Sequence, residues 1–216
     1  MKDNKLAIAY IYTDSWKVLA DIVLPVAQRY CAEHGYHLAH QRYKEMTPNF
    51  GFNKFELIDK IFASSDVDYV WMLDMDSLIT NPHTQVHEII KQHAPNGFFI
   101  ISEDIHGLNA GSFIAKRSAE WSQMRRYCDS LKLVYDCEQD AIASYDRKKE
   151  MPKITVVEQR LINAYMQAMY PSEDIKTDWD ATCLLLHTPG VGMMQRIKLF
   201  EDLTKVYGLS NSNNSK

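Results

Sequence analysis

The sequence predicts an α/β fold, a sheet flanked by helices, and three observations carry that prediction. Short apolar runs that read as buried strands alternate with stretches of helical periodicity from Leu6 to Ile101. Polar residues gather where those runs end, at Thr13 and at the pair Asp74 and Asp76, and open α/β sheets bind ligands outside the carboxyl ends of their strands. The chain has 216 residues, 46% of them hydrophobic, which suits one domain with a sizeable core.

The elements follow in order. Leu6 to Tyr12 is strand-like and ends at Thr13-Asp14-Ser15, residues that cap helices well. Val18, Leu19, Ile22, Val23, Val26 and Tyr30 recur at helical spacing; Pro25 is expected to kink this helix and Gly35 to end it. Tyr36 to Tyr43 reads as a second strand. After a loop from Lys44 to Phe52, a helix carries Phe55, Ile58, Ile61 and Phe62 on one face. Val70 to Leu73 is the third strand, completing β-α-β-α-β. Asn81-Pro82 is expected to start a helix that runs through Ile89 and Ile90.

Gly97 to Ile101 reads as a buried strand ending at Ser102-Glu103-Asp104, and 107–114 as its return. Helices are expected over Ala119 to Leu131, Glu138 to Tyr145, Arg160 to Met169 and Met193 to Tyr207. Strands are expected over Ile154 to Val157 and Thr182 to Leu186. Residues 1–208 form one domain on this reading, and 209–216 a polar tail or linker with further domains able to follow it.

Composition excludes several classes. The formal charge is -4 and no long basic block exists, which argues against a nucleic-acid partner. No run approaches the ~20 apolar residues of a membrane span. The N-terminus lacks the apolar stretch of a signal peptide, so the chain is expected in the cytoplasm. Cys31, Cys128, Cys137 and Cys183 are scattered without a Cys-x-x-Cys pair and read as free thiols. There is no Gly-x-Gly-x-x-Gly and no Walker loop after the first strand.

The sharpest local signal is Asp74-Met75-Asp76 after an apolar strand. If the strand persists, alternation points both carboxylates the same way. Two carboxylates so placed are costly without positive charge between them, and a hard divalent cation would supply it. A strand end turning into solvent would leave the same residues, so the pair alone does not decide.

Five segments in order decide more: Asp74-Met75-Asp76; Gly107-Leu108-Asn109-Ala110-Gly111-Ser112; Glu138-Gln139-Asp140; Glu158-Gln159-Arg160-Leu161-Ile162-Asn163-Ala164-Tyr165; and His187-Thr188-Pro189-Gly190. In this order the chain resembles the yeast galactosyltransferases and plant xyloglucan xylosyltransferases. More broadly it resembles metal-dependent glycosyltransferases of the GT-A fold, with a Rossmann-like mixed sheet flanked by helices. The resemblance covers about residues 6 to 192. The absence of an N-terminal anchor departs from Golgi members. That absence and the polar tail are closer to viral glycosyltransferases that decorate capsid glycans, in which case the cytoplasm is the host's.

The resemblance implies the following roles. Asp76 and His187 ligate a divalent metal, Mn²⁺ with Mg²⁺ as the second choice. Asp74 ligates it too, or holds the donor ribose. Tyr12 and Thr13 line the uracil and ribose pocket of a UDP-sugar. Lys54 faces the donor diphosphate, and Gly190 lets its loop approach the phosphates. Asn109, Ala110, Gly111 and Ser112 face the donor sugar with Gln139 and Asp140. Asp140 is the carboxylate expected to stabilise or attack the anomeric carbon, and transfer to a glycan acceptor retains configuration there. Glu103 and Asp104 either bind acceptor or only end a strand. Two other readings stand beside this one: a sugar-phosphate nucleotidyltransferase, against which the missing Gly-rich basic loop counts, and a non-catalytic module that binds nucleotide sugars.

Overall fold

The computed structural model describes residues 5–171 and 178–209. Two β-α units come first: β1 (Leu6–Thr13), α1 (Lys17–His34), β2 (His37–Tyr43), α2 (Asn53–Ser64) and then β3 (Tyr69–Leu73). Next come β4 (Ser77–Ile79), α3 (Val86–His93), β5 (Phe99–Asp104), β6 (Gly107–Lys116), α4 (Ala119–Ser130) and α5 (Glu138–Asp146). The chain ends with β7 (Thr155–Val157), the single turn α6 (Gln159–Ile162), β8 (Leu185–His187) and α7 (Met193–Val206). Six strands form one sheet in the order β2-β1-β3-β6-β5-β7. β1 runs parallel to β2 and β3, β6 runs antiparallel to β3 and β5, and β7 lies parallel to β5. The mixed sheet agrees with the α/β class.

Strand alternation divides the core into two layers. Leu6, Ile8, Tyr10 and Tyr12 of β1 pack with Trp71 of β3, Leu19, Val23 and Tyr30 of α1, and Phe200 of α7. Ala7, Ala9 and Ile11 face the opposite way with Val70 and Met72, against Phe55 and Ile58 of α2, Trp121 and Met124 of α4, and Ile142 and Tyr145 of α5. A sheet covered on both faces requires strands apolar on both sides, and all eight residues of β1 and all five of β3 are buried.

α1 ends where Gly35 adopts φ 69°, a conformation that favours glycine, and its N–H bonds the Cys31 carbonyl. The helix continues through Pro25.

Four expectations are corrected. β3 stops at Leu73, and Asp74 to Asp76 form a turn closed by Ser77 N–H on the Asp74 carbonyl at 3.0 Å, so strand alternation does not set their directions. The residues after that turn form β4, which pairs antiparallel with β8 in a separate two-stranded sheet, and β8 therefore stands outside the main sheet. Asn81-Pro82 does not start a helix: the Asn81 side chain accepts the His83 N–H at 3.1 Å, forming a turn, and α3 begins at Val86. The helix expected from Arg160 to Met169 is one turn long. Beyond it Ala164 bridges to Leu186, and the Ala164 carbonyl accepts the His187 N–H at 2.8 Å. The tail from Ser210 onward lies outside the described residues.

Trp71 sits at the centre of this arrangement, fully buried, with its indole N–H donating to Ser112 Oγ at 2.9 Å. Trp71→Ala should lower unfolding free energy by about 3–5 kcal/mol, the usual cost of truncating a buried large aromatic. Urea denaturation measures it, and a loss under ~1 kcal/mol would show that Trp71 is not a keystone of the sheet.

Candidate active site

The carboxyl ends of β1 and β3 and the turn after β3 open onto a pocket of about 820 Å³. Tyr12, Thr13 and Trp16 line it from the first strand and the turn after it. Met46 to Gly51 line it from the loop before α2, and Lys54 from the first turn of α2. Asn109 to Gly111 come from β6, Asp136 to Gln139 from the start of α5, and His187, Pro189, Gly190 and Arg196 from the end of the chain.

Asp74, Asp76 and His187 meet at its base, each offering one ligand atom, and these atoms lie within 4.8 Å of one another. The small sheet brings them together. In the β4–β8 pair Ser77 stands opposite His187, and the Asp76 carbonyl accepts the Thr188 N–H and hydroxyl, both at 3.0 Å, across 112 residues of chain. Two carboxylates and an imidazole form a mixed oxygen and nitrogen set that suits a transition ion such as Mn²⁺ better than Ca²⁺. The residues therefore fit the metal that the sequence implies.

Each aspartate has its own buried cation. Lys54 Nζ lies 2.6 Å from Asp74 Oδ1, 2.6 Å from Glu138 Oε1 and 3.0 Å from the Ala110 carbonyl. An ammonium has three donors, and these three acceptors use them all. Lys54 thus clamps Asp74 and Glu138 and has no free donor for a diphosphate, which differs from the sequence expectation. Burial alone would push the Lys54 ammonium down, but the two carboxylates outweigh it and hold it above its ordinary range.

Arg196 lies 3.1 Å from Asp76 Oδ2, donates to the Thr188 carbonyl at 2.8 Å and hydroxyl at 3.1 Å, and stacks on the Trp16 ring at 4.9 Å. Burial pushes Asp76 up, yet His187 and Arg196 overcome it and hold this carboxyl below the usual range. Asp74 goes the other way: burial raises it, and Asp76 and Glu138 add to the rise against the pull of Lys54.

The other expected residues divide. Tyr12, Thr13, Asn109, Ala110, Gly111, Gln139 and Gly190 all line the pocket. Gly190 has φ 72°, so the turn after His187 favours a glycine there. Gln139 Oε1 accepts the Ala110 N–H at 2.9 Å, which fixes its amide beside β6.

Ser112 is not among the lining residues; it is fully buried and its hydroxyl accepts from Trp71. Asp140 is also outside. α5 buries Glu138, Ala141, Ile142 and Tyr145, which leaves Asp140 exposed, with the Cys137 thiol 3.3 Å from Oδ2. Asp104 is spent on structure, accepting from His106 N–H, the Asn109 amide and the Tyr165 hydroxyl, while Glu103 is exposed. Trp179 donates to Thr80 Oγ1 at 3.0 Å, away from this pocket.

Sequence reasoning missed Glu138 as a partner of Lys54, and it missed Arg196 altogether. Glu138 lay in a quoted segment but read as a helix-opening acid. Arg196 sits in the first turn of α7 with no local signal.

Two glycines are set by close approach. A Cβ on Gly111 would fall 2.1 Å from His187 Cε1, and one on Gly51 would fall 1.6 Å from Glu138 Oε2. Gly111→Ala should therefore displace the imidazole and weaken Mn²⁺ binding by about tenfold or more, the scale of losing a ligand's orientation. Calorimetric titration with Mn²⁺ measures it, and native affinity in this variant would mean that His187 does not need its present place to bind metal.

Comparison with known proteins follows the same lines. Residues 9–95 match the family model described as the galactosyl transferase GMA12/MNN10 family, a stretch that holds Tyr12, Thr13, Lys54, Asp74 and Asp76 but ends before Asn109, Gln139 and His187. No curated protein sequence matches the chain. Among solved structures, a glycosyltransferase involved in the glycosylation of the major capsid of PBCV-1 superposes with a TM-score of 0.75 at 16% identity, over 92% of this chain and 99% of that one. The galactosyltransferase LgtC, in complex with donor and acceptor sugar analogs, gives 0.58 at 10% identity, over 95% and 98%. The glycosyltransferase GlyE of Streptococcus pneumoniae TIGR4 gives 0.56 at 12% identity, over 99% of this chain and 66% of that one. At such identities the likeness is one of fold, and that fold is GT-A.

Proposed function

We propose that this GT-A chain is a metal-dependent glycosyltransferase that moves a sugar from a UDP-sugar to a glycan acceptor with retention at the anomeric carbon. The observation that carries the reading is the Asp74, Asp76 and His187 cluster at the base of a pocket beyond the strand ends. The family match over residues 9–95 and the fold shared with three glycosyltransferases support it.

On this reading Asp74, Asp76 and His187 hold Mn²⁺, and three protein ligands leave positions open for oxygens of a ligand. Bound there, the cation supplies positive charge where the diphosphate leaving group gains negative charge. Tyr12, Thr13 and Trp16 form the wall for the uridine. The turn at Gly190 lets backbone approach the phosphates. Lys54 contributes by holding Asp74 in place and by pulling against the burial that raises its carboxyl, without touching substrate. Asn109 and Gln139 position the donor sugar.

Gln139 takes the role first expected of Asp140, because its amide lines the pocket and the Asp140 carboxylate does not. One of the similar solved structures is LgtC with an active-site glutamine changed to glutamate, which supports giving a glutamine that place. Glu138 is locked to Lys54 and buried, so it is not a free nucleophile either. Transfer on the face the leaving group vacates, without a covalent intermediate on Asp140, fits this wall best.

Two measurements test the reading. UDP titrated with Mn²⁺ should bind tightly to the native chain, and chelation or Asp76→Asn should weaken it; equal affinity throughout would remove the metal site from the function. In transfer or slow hydrolysis of a UDP-sugar, Gln139→Ala should lose on the order of 100-fold in turnover while keeping UDP affinity, as for a group used at the reacting sugar. Asp140→Ala should keep its turnover, and the opposite ranking would restore Asp140 as the reacting carboxylate.

A further inference from the structure

The segment from Glu158 to Tyr165 has no part in the function proposed above, yet two of its polar side chains, Asn163 and Tyr165, enter a continuous chain of buried hydrogen bonds. Tyr165 Oη donates to Asp104 Oδ2 at 2.8 Å, and Asn109 Nδ2 donates to the same oxygen at 2.9 Å. Asn109 Oδ1 accepts the Gly111 N–H at 2.9 Å and Asn163 Nδ2 at 3.0 Å. Asn163 Oδ1 lies 2.8 Å from His187 Nδ1. Asn163 is fully buried, and Asp104, Asn109, Tyr165 and His187 are each less than a tenth exposed.

The directions of these bonds are forced. A backbone N–H can only donate, so the Asn109 atom facing Gly111 is its oxygen, and its amide nitrogen faces Asp104. The Asp104 side chain already accepts the His106 N–H at 2.7 Å and the Tyr165 hydroxyl, which agrees with that orientation from the other end. An oxygen on Asn109 requires a donor from Asn163, so the Asn163 nitrogen is used there and its oxygen is left for His187. An oxygen opposite Nδ1 requires hydrogen on Nδ1. The second ring nitrogen, Nε2, faces the metal cluster 3.3 Å from Asp76 Oδ1.

We infer that Asp104, Asn109 and Asn163 form a relay that fixes the hydrogen of His187 on Nδ1 and so dedicates Nε2 to the metal. The inference rests on the metal site proposed above and adds to it three positioning residues, two of which stand outside the cluster's contacts. The orienting partner of a ligating histidine commonly sets its tautomer and its strength as a ligand. Here the partner is an amide, which accepts only if something else holds its nitrogen, and Asn109 does so. The relay also explains why Asp104, at the far end of β5, is buried and fully bonded instead of exposed at an acceptor site.

The test uses the full chain with ¹⁵N-labelled histidine and Zn²⁺, a diamagnetic probe. The His187 resonances are assigned by their absence in His187→Gln. The metal-free native chain should show a His187 Nδ1–H protected from exchange, and added Zn²⁺ should shift Nε2. Asn163→Leu should lose the protected Nδ1–H and bind Zn²⁺ about 10- to 100-fold more weakly. Asn163→Asp keeps an oxygen facing Nδ1 and should retain the proton signal. Tyr165→Phe removes a donor to Asp104 from outside the relay and should change neither readout.

A native His187 with bare Nδ1 would overturn the inference, as would Asn163→Leu with native Zn²⁺ affinity. Loss of the signal in Asn163→Asp would overturn it too, and that arm stands if the leucine variant does not fold. A native chain with the Nδ1–H but no Zn²⁺ or Mn²⁺ binding would instead remove the proposed metal site and leave the relay standing.

Discussion

Repulsion between two aspartates governs the organisation of this site. Asp74 and Asp76 leave one turn and converge on one small volume, and like charges so close raise each other's cost of ionisation. The fold answers with one buried cation for each. Lys54 comes from α2, on one face of the sheet, and Arg196 from α7, on the other. The two carboxyls consequently move in opposite directions, Asp74 upward under burial and its acidic neighbours, Asp76 downward under His187 and Arg196. A buried cation is itself costly, and each has further partners that offset this: Lys54 the Ala110 carbonyl and Glu138, Arg196 the Thr188 carbonyl and hydroxyl and the Trp16 ring.

Those partners in turn dictate residues that look incidental. Glu138 reaches Lys54 across position 51, where a Cβ would overlap its carboxylate, so Gly51 is set by an ion pair. Position 111 is closed to a side chain by the imidazole of His187. Each glycine serves packing of a functional side chain against backbone, and φ at neither position demands glycine. The loop before α2, strand β6, the start of α5 and the end of β8 are therefore coupled sterically as well as by charge.

Much of this was legible in the sequence, and the remainder fails for identifiable reasons. β1 and β3 were readable because both faces of the sheet are covered, which makes their apolar runs continuous. The five quoted segments located Asp74, Asp76, His187, Asn109 and Gln139, all of which meet at the pocket. β4 was missed because three residues after a turn carry no periodicity of their own and pair with a strand far along the chain. The helix expected after Arg160 stops because Asn163 and Ala164 make long-range bonds to His187 and Leu186, and tertiary bonds override local propensity. Asp140 was misplaced because the step of about 100° per residue carries it past Gln139 onto the exposed side of α5, and nothing in the sequence marks where the pocket ends along that turn. Arg196 could not be found at all: an arginine in an amphipathic helix reads as solvated, and only the fold places it under Trp16.

The charge count of the assembled site shows what the pairing achieves. Asp74, Asp76 and Glu138 bring three negative charges, and Lys54 and Arg196 two positive ones, so with a neutral His187 the cluster carries about one net negative charge. That residue of negative charge is small enough for the pocket to fold with its ligands already in place, and it still favours a cation. With a divalent ion added, the same groups carry about one net positive charge, and the pocket changes from attracting a metal to attracting an anion. Without Lys54 and Arg196 the three carboxylates would attract metal more strongly, but the site would keep about one net negative charge with a divalent ion bound, and it would repel a diphosphate. On the proposed function, Lys54 and Arg196 are therefore more than structural counter-ions: by cancelling two carboxylates without touching the substrate, they set the sign of the field that a nucleotide sugar meets.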